Sequence, residues 1–299
     1  MKLAIFHMEE IPTLFMLEKA ARKVGFSPYL FHLRDMRFFV GEKGFDIKVG
    51  NVSIKDFSLI FVRGFWNYQN EVSLLGKFCD TYHIPLFDTA VRTNPIISKN
   101  DDLFLLGRRG LDLIKTIFLE NRGAEELLMK QFRFPIVVKE VRGKRGFDVY
   151  LLQNKKQLQE FLRANIPPGK TLATKTYQFQ EFIPADFDVR VLVLGNKVLG
   201  AIERRSADPH DFRHNISLGG FARQIPVTPE MRRLALKAAK ILKFEFAGVD
   251  FITHKKTGKM YLLEVNRSPG FEGFMKATGI DVPLELMKFF LRFVRKKLQ

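Results

Sequence analysis

Apolar and polar positions alternate along this chain with two different periods, and the switch between them outlines its elements. Residues 2–6, KLAIF, form the short apolar run of a buried strand. Leu14, Leu17, Ala21 and Val24 then recur at helical spacing, with Pro12 at the first helical position and Gly25 just past the end. Residues 58–63, SLIFVR, read as a second buried strand. Strand, helix, strand is the order of a parallel α/β domain, and the turn-like Thr93-Asn94-Pro95 bounds it at residues 1–94.

Beyond that turn the pattern changes. PIVVKE (135–140) and DVYLLQ (148–153) are expected as strands around a basic, glycine-containing loop. Residues 189–194 and 197–202 should pair through Gly195-Asn196, a two-residue hairpin signal. Thr228 is placed to cap a helix with Pro229 in its first turn and Met231, Leu234, Ala238 and Leu242 as its inner stripe. Residues 246–254 and 260–266 read as two more strands, and a last helix should begin near Pro283 and finish on Arg295, Lys296 and Lys297, favourably to its dipole. No internal repeat and no low-complexity linker interrupts the chain.

Composition narrows the class. The 299 residues, 46% hydrophobic and 27% charged, suit a globular protein of two domains or one large one. One cysteine, Cys79, excludes an internal disulfide and fits a reducing compartment; it follows the apolar-periodic stretch Val72–Phe78 and reads as a core thiol. The N-terminal apolar run is too short for a signal peptide and no stretch is long enough to span a bilayer, so a cytoplasmic location is expected. A net charge of +17 points to an anionic partner or a basic solvated surface.

Candidate chemistry lies in FAGVDFITH and MYLLEVN, joined by a turn. A three-residue loop Lys256-Thr257-Gly258 would pair Lys255 with Lys259, and counting back pairs Asp250 with Glu264; alternation puts Asn266 on the same face. Paired carboxylates have Cβ atoms about 5 Å apart and repel unless a cation lies between them. Carboxylate and amide oxygens suit magnesium better than zinc. A second signal, VVKEVRGKRGFDV (137–149), ends a strand at Lys139 and brackets a loop with Gly143 and Gly146, where backbone N–H groups can approach phosphate. It is not a Walker loop, because no Gly-Lys-Ser/Thr and helix follow. Together the two signals suggest a nucleoside triphosphate.

LLEVNRSPGFEGFMKATGIDV, FAGVDFI, QEFIPADFDVRVLVLG, AIERR with DFRHNISLGG, and SKNDDLFLLGRRGLDL follow one another in an order that resembles the ATP-grasp superfamily, specifically its RimK-like α-L-glutamate ligase branch, over about residues 95–285. The resemblance implies an α/β fold: an N-terminal Rossmann-like domain (1–94), then an ATP-grasp domain (95–299) of α+β character. Its lid would be near 115–178 and its metal-binding part near 179–299, with ATP between two antiparallel sheets. It implies that Lys99 and Lys139 bind phosphates, with Gly143 and Gly146 in the loop. Gln180, Glu181, Phe182 and Ile183 would lie near adenine and Asp188 near ribose. Asp211, Phe212 and Arg213 would contact the nucleotide, and Arg204, Arg213 and Asn215 would hold the transferring phosphoryl group. Asp250, Glu264 and Asn266 would hold two magnesium ions, for which manganese could substitute. The implied reaction phosphorylates a substrate carboxylate, and an amine then displaces the phosphate to form an amide.

Several positions depart from that pattern: Lys144 for a small hydroxyl, Asp148 for a glycine, Ser217 and Leu218 for His and Arg, and Arg267 for a small residue. The expected partners are an amino acid, with glutamate the leading candidate, and a carboxylate-bearing acceptor such as an acidic peptide or protein C-terminus. A homo-oligomer is compatible with the sequence. The segment 130–175 holds eleven Lys and Arg against three acids, a surplus that would attract such a substrate. Two alternatives stand beside this: a ligase for a small-molecule or cofactor precursor, and a basic nucleotide- or nucleic-acid-binding protein without turnover. The acidic trio and the missing recognition-helix and aromatic RNA-binding motifs weigh against nucleic acid.

Overall fold

The computed structural model describes the chain except residues 10, 43, 95–97, 120–124, 142–147, 166–175, 209–210, 215–218 and 298–299, and the side chains of 119, 296 and 297. Gly143, Gly146 and Asn215, with the departures Lys144, Ser217 and Leu218, therefore lie outside the described residues.

The N-terminal part is built on four parallel strands: β1 (Lys2–His7), β2 (Ser27–His32), β6 (Leu59–Arg63) and β7 (Leu86–Phe87), in the order β2-β1-β6-β7. Helix α1 (Pro12–Lys23) links the first two, with Pro12 at its start as expected. A small antiparallel sheet of β3 (Met36–Gly41), β4 (Gly44–Val49) and β5 (Val52–Ser53) sits in the crossover to β6, a feature the hydrophobic pattern did not reveal. Helix α2 (Gln69–Thr81) buries Val72, Leu75, Phe78 and Cys79 in the same core as Ala4, Phe6, Ile60 and Val62. The short helix α3 (Thr89–Thr93) is capped by Asp88, whose Oδ1 accepts the Ala90 N–H at 2.7 Å.

Two antiparallel sheets follow. The first has the order β10-β9-β11-β8, from β8 (Thr116–Leu119), β9 (Ile136–Glu140), β10 (Val149–Leu152) and β11 (Tyr177–Glu181). Helices α5 (Glu125–Gln131) and α6 (Lys155–Asn165) cover one side and give it a separate small core of Leu128, Val138, Leu158, Phe161 and Phe179. The second sheet has the order β14-β13-β12-β15-β16, from β12 (Asp188–Leu194), β13 (Lys197–Arg205), β14 (Phe221–Ile225), β15 (Phe246–Thr253) and β16 (Met260–Asn266). Helices α4 (Lys99–Gly107) and α7 (Pro229–Leu242) pack on its odd-numbered valines, Val189, Val191, Val193 and Val249. Thr228 caps α7 as the sequence predicts, its Oγ1 accepting the Met231 N–H at 3.1 Å.

The even-numbered face of β12 is divided. Leu192 and Leu194 enter a core with Leu3, Ile5 and Phe61 of the N-terminal sheet, and with α8 (Glu272–Thr278) and α9 (Val282–Lys297). Thus α9 covers the parallel sheet at the opposite end of the chain, with the Phe290 ring 5.0 Å from Phe61 and 4.7 Å from Phe87. The hairpin glycine Gly195 has φ of +57°, and a Cβ there would lie 2.5 Å from the Phe289 ring, so both conformation and close approach call for glycine.

This shared core gives the first prediction. Phe290→Ala should cost about 3–5 kcal/mol. In urea titrations followed by Trp66 fluorescence, the N-terminal transition should move to lower denaturant. An unmoved Trp66 transition would show that α9 does not support the parallel sheet.

Candidate functional site

The even face of the large sheet turns polar toward one end. Asp188 and Arg190 of β12, Arg204 of β13, Asp250 of β15, and Glu264 and Asn266 of β16 share it, because Asp188 pairs with Arg204, Arg190 with Asp250 and Asp250 with Glu264 across the ladder. The expected Asp250–Glu264 pairing is therefore present, but by a different register. Nearer the turn, Thr253 pairs with Met260 and Phe251 with Leu262, one residue out of the expected step, and His254 N–H rather than Lys255 bonds to the Lys259 carbonyl at 2.9 Å. A bulge at Leu263 adds the missing residue.

The charges interlock. Arg190 grips Asp250 with Nε and Nη2, at 2.7 and 2.6 Å. Arg204 Nε donates to Asp188 Oδ1 at 2.5 Å and its Nη2 lies 3.1 Å from Asp250 Oδ2. Asn266 Nδ2 bridges Asp250 Oδ2 and Glu264 Oε1 at 3.2 and 3.0 Å. Gly248 lies under Arg190; a Cβ there would meet Pro269 at 2.9 Å and Arg190 Nε at 3.4 Å. Asp188 and Arg204 are almost wholly buried, so Asp188 orients Arg204 rather than lining an open wall.

Lys99, the first residue of α4, places Nζ 3.6 Å from Glu264 Oε2. Lys139 reaches toward the same space from the other sheet, its Nζ donating to Gln180 Oε1 at 2.7 Å while Gln180 Nε2 donates to Thr116 Oγ1 at 3.0 Å. Gln180 is thus buried and spent on fixing Lys139. Lys99, Lys139, Asp102, Gln178, Leu263 and Glu264 line one cleft between the two sheets. Burial lowers Lys139 to about 8, with Glu264 the largest opposing influence. Burial would raise Glu264, but Lys99, Lys139, the Asn266 hydrogen bond and Arg190 together hold it well below the usual carboxylate range. Burial raises Asp102 to about 7 against the pull of Arg267.

The remaining expected residues are dispersed around this centre. Glu181 is exposed, Ile183 is buried, and the Phe182 and Phe212 rings meet edge to face at 6.2 Å. Arg213 closes on Asp211, its Nε and Nη2 donating to the carboxylate at 2.9 and 2.8 Å. Next to it His214, which the sequence reading passed over, is buried; burial first and Arg204 second hold its imidazole below its usual value. Arg190 was also missed, although a charged residue alternating with Asp188 inside an apolar strand was a readable signal.

Lys99, Lys139 and Glu264 thus line the cleft, and Arg190, Arg204, Asp188 and Asp250 form a charge network behind it, largely buried. Among the described residues no three His, Cys, Asp or Glu side chains are grouped to hold a metal, so any cation site here needs Asn266 as its third donor. The donor chemistry fits a hard cation at Glu264 and Asn266, since a third of the Glu264 side chain is open and an amide turned about its last torsion presents oxygen in place of nitrogen. Asp250 already accepts from Arg190, Arg204 and Asn266, and joins only if one of them gives way.

Comparison with known proteins bears on the family and the fold. A family profile described as the RimK-like ATP-grasp domain matches residues 98–290. A probable α-L-glutamate ligase of Cellvibrio japonicus is 32% identical over 252 residues, covering 82% of this chain and 76% of that protein. One of Coxiella burnetii is 31% identical over 226 residues, covering 73% and 69%. The structure of the ATP-grasp ligase PsnB complexed with minimal precursor superposes with a TM-score of 0.74 at 18% identity, covering 97% of this chain and 99% of that one.

The Lys139 environment yields a second prediction. In protein free of nucleotide and divalent cations, chemical acylation of Lys139, followed by mass spectrometry across pH, should be half-maximal near pH 8. Because Glu264 favours the ammonium form, Glu264→Gln should move that midpoint to lower pH. A midpoint near the ordinary lysine value would mean Lys139 faces open solvent.

Proposed function

The chain belongs to the RimK-like ATP-grasp family of ADP-forming carbon–nitrogen ligases, and from that premise we propose that it joins glutamate or another amino acid to a carboxylate-bearing acceptor, such as an acidic peptide end. The observation that carries the reading is the cleft itself: cations from two antiparallel sheets and from α4 converge on a set of oxygen donors, which suits a polyphosphate that must be held and polarised.

In this reading Lys99 and Lys139 grip the phosphate oxygens from opposite walls. Arg204, held in place by Asp188, faces the phosphoryl group in flight and offsets charge spreading over its equatorial oxygens. A substrate carboxylate oxygen attacks the terminal phosphorus, the bond to the bridging oxygen breaks, and ADP leaves. The amine then attacks the acyl carbon, inorganic phosphate departs with the electron pair of the C–O bond, and the nitrogen loses a proton. No side-chain nucleophile is needed, because the chemistry is positioning and charge stabilisation. Magnesium is a family cofactor that would neutralise phosphate charge; Glu264 and Asn266 would hold it, joined by Asp250 if one of its present partners Arg190, Arg204 or Asn266 gave way.

An acidic substrate fits the surface charge. Of the eleven cations between 130 and 175, six lie among the described residues, on or beside the sheet of β8–β11. Some are partly neutralised, as Lys130 is by Glu126 at 2.7 Å, but the surplus remains basic.

ADP release across amino acids paired with short acidic peptides tests the reading. Turnover should require both partners, and Glu264→Gln should reduce it by about 10²-fold or more while the protein stays folded. Lys139→Ala should weaken nucleotide binding about tenfold or more in calorimetry. ADP release at the wild-type rate from a folded Glu264→Gln protein would remove Glu264 from the reaction; a preference for neutral or basic partners would point to another substrate class.

A further inference from the structure

The carboxyl ends of the N-terminal parallel strands hold a group that the ligase mechanism leaves unused. In the order β2-β1-β6-β7, the chain leaves β1 for β2 on one side and later returns to β6 on the other. The crevice between the ends of β1 and β6 is therefore a topological switch point, where open α/β sheets receive ligands. Its two rims are register partners: His7 ends β1 and Arg63 ends β6. His32 ends β2 beside them, its ring 5.4 Å from that of His7.

Arg63 is 5% exposed, yet it has no ion pair among the described residues. Its Nη2 donates to the Pro269 carbonyl at 3.0 Å and its guanidinium lies 4.9 Å from the Phe271 ring, but Nε and Nη1 find no hydrogen-bond partner among the described residues. Burial lowers it to about 10, and Glu272 acts on it only through space. Leaving a buried, charged donor unpaired is costly, so such a group calls for an explanation, and a ligand that completes it is one. Room exists beside it: a Cβ on the neighbouring Gly64 would meet nothing within 4 Å, nor would one on Gly270, which follows Pro269. That Pro269-Gly270 turn comes directly after the strand bearing Glu264 and Asn266, so the crevice adjoins the phosphate cleft.

We propose that the crevice at the ends of β1 and β6 is a carboxylate subsite in which Arg63 binds the anionic end of the amino-acid or peptide substrate. The subsite rests on the ligase reading above and adds to it which part of the chain selects the substrate. A planar guanidinium with free N–H edges matches a carboxylate, and a desolvated pocket makes each charge-assisted bond stronger than at the surface.

Trp66, the single tryptophan of the chain, lies three residues beyond Arg63 and reports on the crevice. With magnesium and a non-hydrolysable ATP analogue present, L-glutamate, glutarate and the neutral glutaramide are titrated while Trp66 fluorescence is read. Glutamate or glutarate should give a saturable change and glutaramide none. In Arg63→Met the carboxylate midpoint should rise about tenfold or more, while affinity for the ATP analogue stays within about twofold. Arg63→Lys, which keeps charge but loses the planar fork, should fall between. The ligand-free melting temperature of Arg63→Met should stay level or rise, because an uncompensated buried charge is gone; a purely structural arginine would lower it. A wild-type midpoint in folded Arg63→Met, or no wild-type response to either carboxylate below about 10 mM, overturns the subsite. If the analogue binds and ADP is released normally, that result sinks only the subsite; failure of nucleotide binding in the wild type sinks the ligase reading instead.

Discussion

The cleft depends on one extra residue in β16. Met260, Leu262 and Val265 all pack toward the core under α4 and α7, although strict alternation would set Val265 opposite to the other two. The bulge at Leu263 resolves this by advancing the strand one residue against β15. Glu264 and Asn266 then join Asp250 on the cleft side, and Leu263 itself lines the cleft. Without the bulge, alternation from Leu262 would drive Glu264 and Asn266 into an apolar core, where an unpaired carboxylate is untenable. The bulge thus decides whether this strand end is a site or a misfolded core.

Once the acids share a face, their cost has to be offset. Asp188 and Asp250 are nearly inaccessible, and two buried carboxylates on neighbouring strands would repel each other. Arg204 lies between them and touches both, and Arg190 closes the far side of Asp250. Removing one member of such a network strands the others, a loss of about 3–5 kcal/mol, whereas the intact network adds little net stability. Its value is positional: it holds Arg204 and Asp250 in fixed geometry before any ligand arrives. The open end of the system is Glu264, whose balancing cations come from α4 and from the opposite sheet. The sheet of β8–β11 also meets α4, through Gln178 Nε2 donating to Asn100 Oδ1 at 2.9 Å, so a ligand between Lys99 and Lys139 adds to an existing seam.

Much of this was legible in the sequence. The Asp250–Glu264–Asn266 trio, the strand carrying Lys139, the Gly195 hairpin and the Thr228 cap all rest on local chemistry, which short windows report. The pairing of Asp250 with Glu264 was reached by counting from a turn whose register was one residue out, and the bulge restored it; spacing alone carries no signal for a bulge at an ordinary leucine. Long-range facts were hidden for the same reason. Gln180 was expected near the adenine, and nothing local says that its carbonyl also accepts from a lysine forty-one residues earlier. The final helix was legible by its start and its basic end, but not that Phe290 would belong to the core of β1 and β6.

That last fact changes how the N-terminal part should be regarded. A domain joined by a linker could drift relative to the cleft, but this one is fastened at two places. Below, α9 shares its core with α1 and the parallel sheet. Above, Arg267 of the turn after β16 donates to the Asn94 carbonyl at 3.1 Å and stacks near Phe65 and Phe244, 5.6 and 4.6 Å from their ring centres. At Arg267, where the sequence reading expected a small residue, a long planar cation spans the gap between the turn and the loop after β6. Two fastenings on opposite sides suppress rotation as well as separation. The end of β6 is therefore tied to the turn that follows Glu264 and Asn266, through Arg63 to the Pro269 carbonyl and through Arg267 to the Asn94 carbonyl, and the parallel sheet is held beside the cleft rather than appended to it.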